Sequence, residues 1–189
     1  MNIGLFFGSF NPIHTGHLIV ANTVSNTFAL ENIWFIVSPQ NPLKEKSELL
    51  SAELRFQMVE KAIAKDSRLK ASDVEINLPL PSYTIDTLTY LENIYPSNQF
   101  YLILGSDAFQ TLPQWKNSEQ LLSKKIIVYL RPGYPVSEEP LPHNITILKS
   151  PLLEISSTEI RRLIKAKKSI RYITPQPVIE VMERNSFYM

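Results

Sequence analysis

Four runs of apolar residues, Ile3 to Phe7, Ile33 to Val37, Phe100 to Leu104 and Ile126 to Leu130, are too continuous for strands with one wet face. They predict strands covered on both sides, as in a parallel sheet. Between and around them, helical spacing of apolar residues runs over Leu18 to Phe28, over Ser51 to Ala64, and over Ile85 to Ile94. Ser51 serves the second as N-cap with Glu53 in its first turn, and Thr84 caps the third. This β-α-β-α alternation predicts an α/β fold, a doubly wound parallel sheet with right-handed crossovers and a ligand outside the carboxyl ends of the strands. Gly8, Ser38, Gly105 and Arg131 follow the four runs and are expected to converge there. The C-terminal part, about 156–189, reads as two helices, one starting at Ser156 or Ser157 and one at Thr174-Pro175 with proline in its first position. The stretch Pro132 to Pro142 reads as a surface loop.

A chain of 189 residues with 44% hydrophobic content suits one compact domain over 1–189. Nineteen basic against eighteen acidic residues leave a net charge of +1, so no electrostatic footprint of a nucleic-acid partner is expected. The chain has no cysteine, which removes disulfides, thiolate metal sites and thiol nucleophiles and fits a reducing cytosol. Its start, Met-Asn-Ile-Gly, has no signal-peptide pattern, and no apolar run approaches the roughly 18 residues that span a bilayer. The expectation is a cytoplasmic protein without a membrane partner.

Candidate chemistry begins where the first strand ends, in Gly8-Ser9-Phe10-Asn11-Pro12-Ile13-His14-Thr15-Gly16-His17. A strand running through a glycine turn into a helix start offers main-chain N–H groups and a positive dipole end to a phosphate. His14 and His17, three residues apart, can face the same ligand. Far along the chain, Ile155-Ser156-Ser157-Thr158-Glu159-Ile160-Arg161 offers hydroxyls and N–H groups at another helix start, with Arg161 one turn in. Taken alone, the first segment also suits an ordinary strand–turn–helix join, and the second an ordinary capping segment.

Other residues carry chemistry of their own. Trp115 offers a flat face for an aromatic ring. Thr84, at a helix start, offers an N–H to an anion. Asp107 can accept from ribose hydroxyls, and Arg131 can fork onto a phosphate. Each also has a plain structural alternative as packed aromatic, cap, turn residue or solvated strand end, while Lys44 sits in a mixed-charge loop with Glu45, Lys46 and Glu48. His143 reads as a surface loop residue, and Arg55 as a partner in a structural ion pair.

Together the two helix-start segments resemble the paired-histidine and Ile-Ser-x-Thr-x-Ile-Arg signatures of the nucleotidyltransferase superfamily. Over essentially the whole chain the likeness is to the bacterial nicotinate mononucleotide adenylyltransferase family. It is carried by Ser38 to Lys44, Pro81 to Leu88, Leu104 to Asp107, Leu112 to Trp115 and Arg131 to Tyr134. The resemblance implies a Rossmann-like fold and transfer of AMP from ATP to nicotinate mononucleotide, giving nicotinate adenine dinucleotide and pyrophosphate in NAD biosynthesis. It implies catalytic roles for His14, His17 and Arg161. ATP and its phosphates would meet Gly8, Ser9, Phe10, Lys44, Gly105, Asp107, Ser156, Ser157 and Thr158. Nicotinate mononucleotide would meet Tyr83, Thr84, Trp115 and Arg131. Mg²⁺ would be carried by phosphates, with no protein side chain as ligand. A homo-oligomer is compatible with this reading.

Many relatives in that superfamily carry aspartate where this chain has Asn11, which cannot act as a base; a phosphate nucleophile, already ionised, needs none. Thr84 at a helix start predicts preference for the nicotinate acid over its amide. Three alternatives share parts of the pattern. Phosphopantetheine adenylyltransferases and cytidylyltransferases lack the Pro81 to Leu88 and Trp115 pocket. A non-catalytic nucleotide sensor is opposed by retention of His14, His17 and Arg161. A class I aminoacyl-tRNA synthetase is opposed by the short, nearly neutral chain.

Overall fold

A computed structural model describes residues 1–39, 49–136 and 140–189. Its centre is β1 (Asn2–Gly8), flanked by β2 (Asn32–Val37) on one side and β4 (Gln99–Gly105) on the other. Outside them lie β3 (Leu69–Ser72), β5 (Lys125–Tyr129) and β6 (Ile145–Leu148), in the order β3-β2-β1-β4-β5-β6 with every pair parallel. The strand order reverses between β1 and β4, so their carboxyl ends open a crevice at that switch point. Gly8 ends β1 and Gly105 ends β4 at that crevice.

The four expected strands form, each within a residue or so of its apolar run. β3 and β6 did not stand out in the sequence because each is a four-residue edge strand, and short edges bury too few positions to leave a pattern. Side chains of β1 alternate between two cores. Ile3 and Leu5 join Leu88, Leu91, Leu102 and Val128 on one face. Phe6 joins Val20, Val24, Phe35, Met58, Ile160, Ile179 and Met182 on the other.

The helices are α1 (Thr15–Thr27), α2 (Ala52–Ile63), α3 (Thr84–Ile94), α4 (Ser106–Thr111), α5 (Ser118–Leu122), α6 (Ser157–Lys165) and α7 (Gln176–Arg184). Ser51 caps α2 by accepting from the Leu54 N–H, and Ser156 caps α6 by accepting from the Glu159 N–H, both as expected. Three starts differ. α1 begins at Thr15 rather than Leu18, because the unprotected turn ahead of its apolar stripe is closed by the histidines. α3 takes Tyr83 as N-cap, which makes Thr84 its first helical residue. Pro175 is the N-cap of α7 rather than its first residue. No helix among the described residues is long and apolar enough to cross a membrane.

Arg55 of α2 is a correction. It is fully buried, and it meets four main-chain carbonyls rather than a carboxylate. Its guanidinium donates to Leu50 O at 2.8 Å, Ser38 O at 2.8 Å and Pro39 O at 2.9 Å, and also to Ser9 O. Burial pushes its pKa down to about 10, which leaves it charged at neutral pH.

Candidate active site

A cleft of about 940 Å³ lies at the carboxyl ends of β1 and β4, large enough for a dinucleotide. It is lined by Gly8, Ser9, Phe10, His14 and His17 from the β1–α1 join, and by Ser156, Ser157, Thr158 and Arg161 from the start of α6. Tyr83, Thr84, Gly105, Asp107, Trp115 and Arg131 complete the predicted set, and Ser38 is there too. Lys44 lies outside the described residues.

The β1–α1 turn is shaped by Phe10. Its φ of 45° places a bulky residue in the left-handed region and swings the ring back into the core. There it packs 5.0 Å from the His17 ring and 5.4 Å from Phe35. A Cβ on Gly8 would lie 2.8 Å from the Phe10 ring, so only glycine fits beneath it. With the ring so occupied, the Phe10 main chain is the part that can meet a phosphate.

His14 and His17 stack with ring centroids 3.6 Å apart. The His14 main-chain N–H donates to His17 Nδ1 at 3.2 Å. A neutral His17 with Nδ1 as acceptor carries its proton on Nε2, and so presents a donor from that atom. Burial, with a smaller contribution from the Arg131 charge, lowers the His14 pKa to about 4. His14 is therefore neutral at pH 7, and its Nδ1 is buried without a hydrogen-bond partner among the described residues.

This depressed pKa has a sign. Between pH 6.5 and about 4 the unfolded chain binds a proton at His14 that the folded chain does not. Stability from this residue is present above pH 6.5 and is lost as pH falls, by at most about 3 kcal/mol. Urea unfolding at pH 7 and pH 4.5 should show a smaller loss in His14→Asn than in wild type; equal losses would contradict it.

The start of α6 is docked onto the same turn. Ser157 Oγ donates to Pro12 O at 2.9 Å and Arg161 Nη1 to Asn11 O at 2.9 Å. Ser156 Oγ accepts from the Glu159 N–H and Thr158 Oγ1 from Arg161, which leaves both O–H groups as donors, so these hydroxyls, the main-chain N–H groups of Ser157 and Thr158 and the Arg161 guanidinium are what this helix start can bring to an anion. Two helix N-termini thus meet at one side of the cleft. Asn11 Oδ1 accepts from Leu50 N–H at 3.3 Å and from the Tyr188 hydroxyl at 2.5 Å.

Asp107 and Arg131, read separately in the sequence, are paired at 3.0 Å. The Arg131 N–H also donates to the fully buried Ser106 Oγ at 2.9 Å. A side chain on Gly105 would overlap Asp107 Oδ1 and lie 3.0 Å from Arg131 Cδ, which accounts for glycine there. Tyr129, packed between them and Phe6, has its phenol pushed up to about 12 by burial.

The far side of the cleft is built on the start of α3. The Thr84 N–H belongs to the first turn of this helix, and Trp115 stands opposite with its Nε1 donating to Thr111 Oγ1 at 3.3 Å. Sequence reasoning missed two residues here. Lys116 Nζ lies 4.8 Å over the Tyr83 ring and 2.7 Å from Asp86. Glu75, almost fully buried, accepts from Thr87 Oγ1 at 2.7 Å and Ser82 Oγ at 3.1 Å, holding the start of α3. Adjacency to Trp115 was a signal for Lys116; nothing local marked Glu75.

The profile of the cytidylyltransferase-like family matches residues 5–163. The chain is 48% identical over 189 residues to the "Probable nicotinate-nucleotide adenylyltransferase" of Cytophaga hutchinsonii, covering 100% of this chain and 98% of that one. The chain belongs to the nicotinate-nucleotide adenylyltransferase family. Identity to the "Probable nicotinate-nucleotide adenylyltransferase" of Bacteroides thetaiotaomicron is 44%, over 95% of this chain and 90% of that one. With the protein of the same name from Thermus thermophilus it is 40% over the full length of both. The fold matches the solved structure of Plasmodium falciparum nicotinic acid mononucleotide adenylyltransferase complexed with NaAD. That match has a TM-score of 0.86 at 23% identity and covers 99% of this chain and 97% of the other.

For a nucleotidyltransferase the donor set also bears on metal. No group of three or more His, Cys, Asp or Glu suited to holding a metal ion occurs among the described residues. Asp107 is engaged by Arg131, and Glu75 by two hydroxyls.

Proposed function

We propose that residues 1–189 act as one catalytic domain that transfers AMP from ATP to nicotinate mononucleotide, releasing pyrophosphate and nicotinate adenine dinucleotide. The observation that carries this reading is a single cleft with two kinds of anion site. Two helix N-termini, α1 and α6, meet with Arg161 on one side. The start of α3, with a flat indole and a lysine, stands on the other.

The chemistry divides accordingly. The nucleophile is the phosphate of the mononucleotide, ionised at neutral pH, so it needs no base, and Asn11 in place of a carboxylate is consistent with this. It attacks the α-phosphorus of ATP, and the bond to the bridging oxygen of pyrophosphate breaks. Positioning and neutralisation of negative charge are what the protein must supply. His17, through its Nε2 proton, and neutral His14 would donate to the α-phosphate. Arg161 and the Ser157 and Thr158 N–H groups would hold the departing β- and γ-phosphates. Mg²⁺ bound to the phosphates would supply further charge neutralisation. Asp107 would accept from the ATP ribose, and Arg131 would face the mononucleotide phosphate.

The pyridine carboxylate would lie at the Thr84 N–H, near Lys116, with the ring against Trp115. Both partners favour the acid over the amide. Lys116→Met is expected to raise KM for nicotinate mononucleotide about threefold to tenfold, with little change for the amide. An unchanged ratio of the two would remove Lys116 from the pocket.

The test of the reaction is pyrophosphate release from Mg-ATP with nicotinate mononucleotide, nicotinamide mononucleotide or phosphopantetheine offered separately. Turnover with the nicotinate compound, well above its amide, is expected. Turnover with phosphopantetheine would overturn the acceptor, and ATP binding with no release would make the chain a sensor.

A further inference from the structure

After α7 the chain turns back on itself. Ser186 and Tyr188 take φ values of 52° and 63°, both in the left-handed region, and the Phe187 N–H donates to Met182 O at 3.0 Å. The turn carries the Tyr188 side chain to the β1–α1 join, 177 residues away in sequence, where its hydroxyl donates to Asn11 Oδ1 at 2.5 Å. Burial raises the phenol pKa well above its usual value, so the hydroxyl keeps its proton and remains a donor across the working pH range.

Asn11 is held through both its side chain and its main chain. Its side-chain oxygen takes Tyr188 and the Leu50 N–H, and its main-chain carbonyl takes Arg161 Nη1 at 2.9 Å. The neighbouring carbonyl of Ser9 is fixed by Arg55. The Asn11 carbonyl is thus one of the acceptors that place the Arg161 guanidinium, beside Thr158 Oγ1 at 3.4 Å, and the Tyr188 hydroxyl ties Asn11 to the end of the chain. Rigid support of this kind matters because a displacement of about 1 Å at a charged group is enough to lose much of its effect on a bound phosphate.

We propose that Tyr188 is a positioning residue of the ATP site, whose hydroxyl, through Asn11, holds the carbonyl that aims Arg161 at the triphosphate. The proposal rests on the reading above only in taking Arg161 as a triphosphate contact; it does not depend on which acceptor receives AMP.

The test is ATP affinity of the full chain, by calorimetric titration with ATP alone, in wild type, Tyr188→Phe, Asn11→Ala and the double variant. Tyr188→Phe keeps the ring and removes one hydroxyl. It is expected to weaken ATP binding about tenfold, to leave KM for the mononucleotide within twofold, and to shift Tm by no more than about 3 °C. In the Asn11→Ala background the same change should have no further effect on ATP affinity, because its route is already cut. ATP affinity within twofold of wild type in Tyr188→Phe would overturn the proposal. So would an equal loss in both backgrounds, the result expected of a tail that only packs. A wild type that binds ATP but releases no pyrophosphate would defeat the proposed reaction, while this proposal would still be decided by the four affinities.

Discussion

Alanine at His17 is expected to lower kcat for pyrophosphate release about a thousandfold while the protein stays folded. In a site where charge neutralisation is the main task, loss of one preorganised donor costs roughly 10²–10³ in kcat, about 3–4 kcal/mol. His17 is placed at the high end because its donor atom is fixed rather than chosen by the solvent. The His14 N–H holds Nδ1 as acceptor and leaves the proton on Nε2. The ring is further confined by His14 at 3.6 Å and Phe10 at 5.0 Å. The accompanying structural loss includes the hydrogen bond at the start of α1, worth about 1 kcal/mol, or a Tm shift of about 2–4 °C. Single-turnover pyrophosphate release beside a thermal melt separates the two effects. Near wild-type kcat would remove His17 from the chemistry.

Arg55→Ala is expected to produce the largest loss of stability of any single replacement considered. The side chain is fully buried, and it supplies charge-assisted hydrogen bonds to the carbonyls of Leu50, Ser9, Ser38 and Pro39. These carbonyls belong to the ends of β1 and β2 and to the turn before α2, so one guanidinium ties three segments at the floor of the cleft. Removing it leaves several buried acceptors without donors and a cavity besides, which together cost about 3–5 kcal/mol. Arg55→Lys should recover only part of this, since an ammonium cannot reproduce a planar fork meeting acceptors in several directions. A Tm drop of more than about 6 °C in the alanine variant is the expected reading. A drop under 2 °C would mean that water replaces the guanidinium at little cost. Activity should fall as well, because Ser9 and Asn11 belong to the same turn.

How far the sequence reaches can be judged from particular elements. β1, β2, β4 and β5 were legible because strands buried on both faces leave unbroken apolar runs. β3 and β6 were not, since a four-residue edge strand has too few buried positions to show. Ser51 and Ser156 announced α2 and α6 because a side-chain cap is a local interaction between residues three apart. α1 escaped the same reading at its start because His14, rather than Ser, Thr, Asp or Asn, occupies its N-cap. The candidate site residues could be named for a similar reason. Each sits just past a strand or at a helix start, where topology alone sends it toward the switch point.

What the sequence could not contain is which of those residues hold one another. Arg131 pairs with Asp107 across 24 residues, Lys116 with Asp86 across 30, and Tyr188 reaches Asn11 across 177. Arg55 was read as one half of an ion pair, and only the folded chain shows four carbonyls around it. The division has one physical cause. Apolar periodicity, turn chemistry and helix caps act between near neighbours and are written in local order. The partner of a charged or polar side chain is set by which strand ends and helix starts the packed sheet brings within about 3 Å. The sequence determined the elements and the chemistry they present; the tertiary structure alone decided the contacts that aim that chemistry.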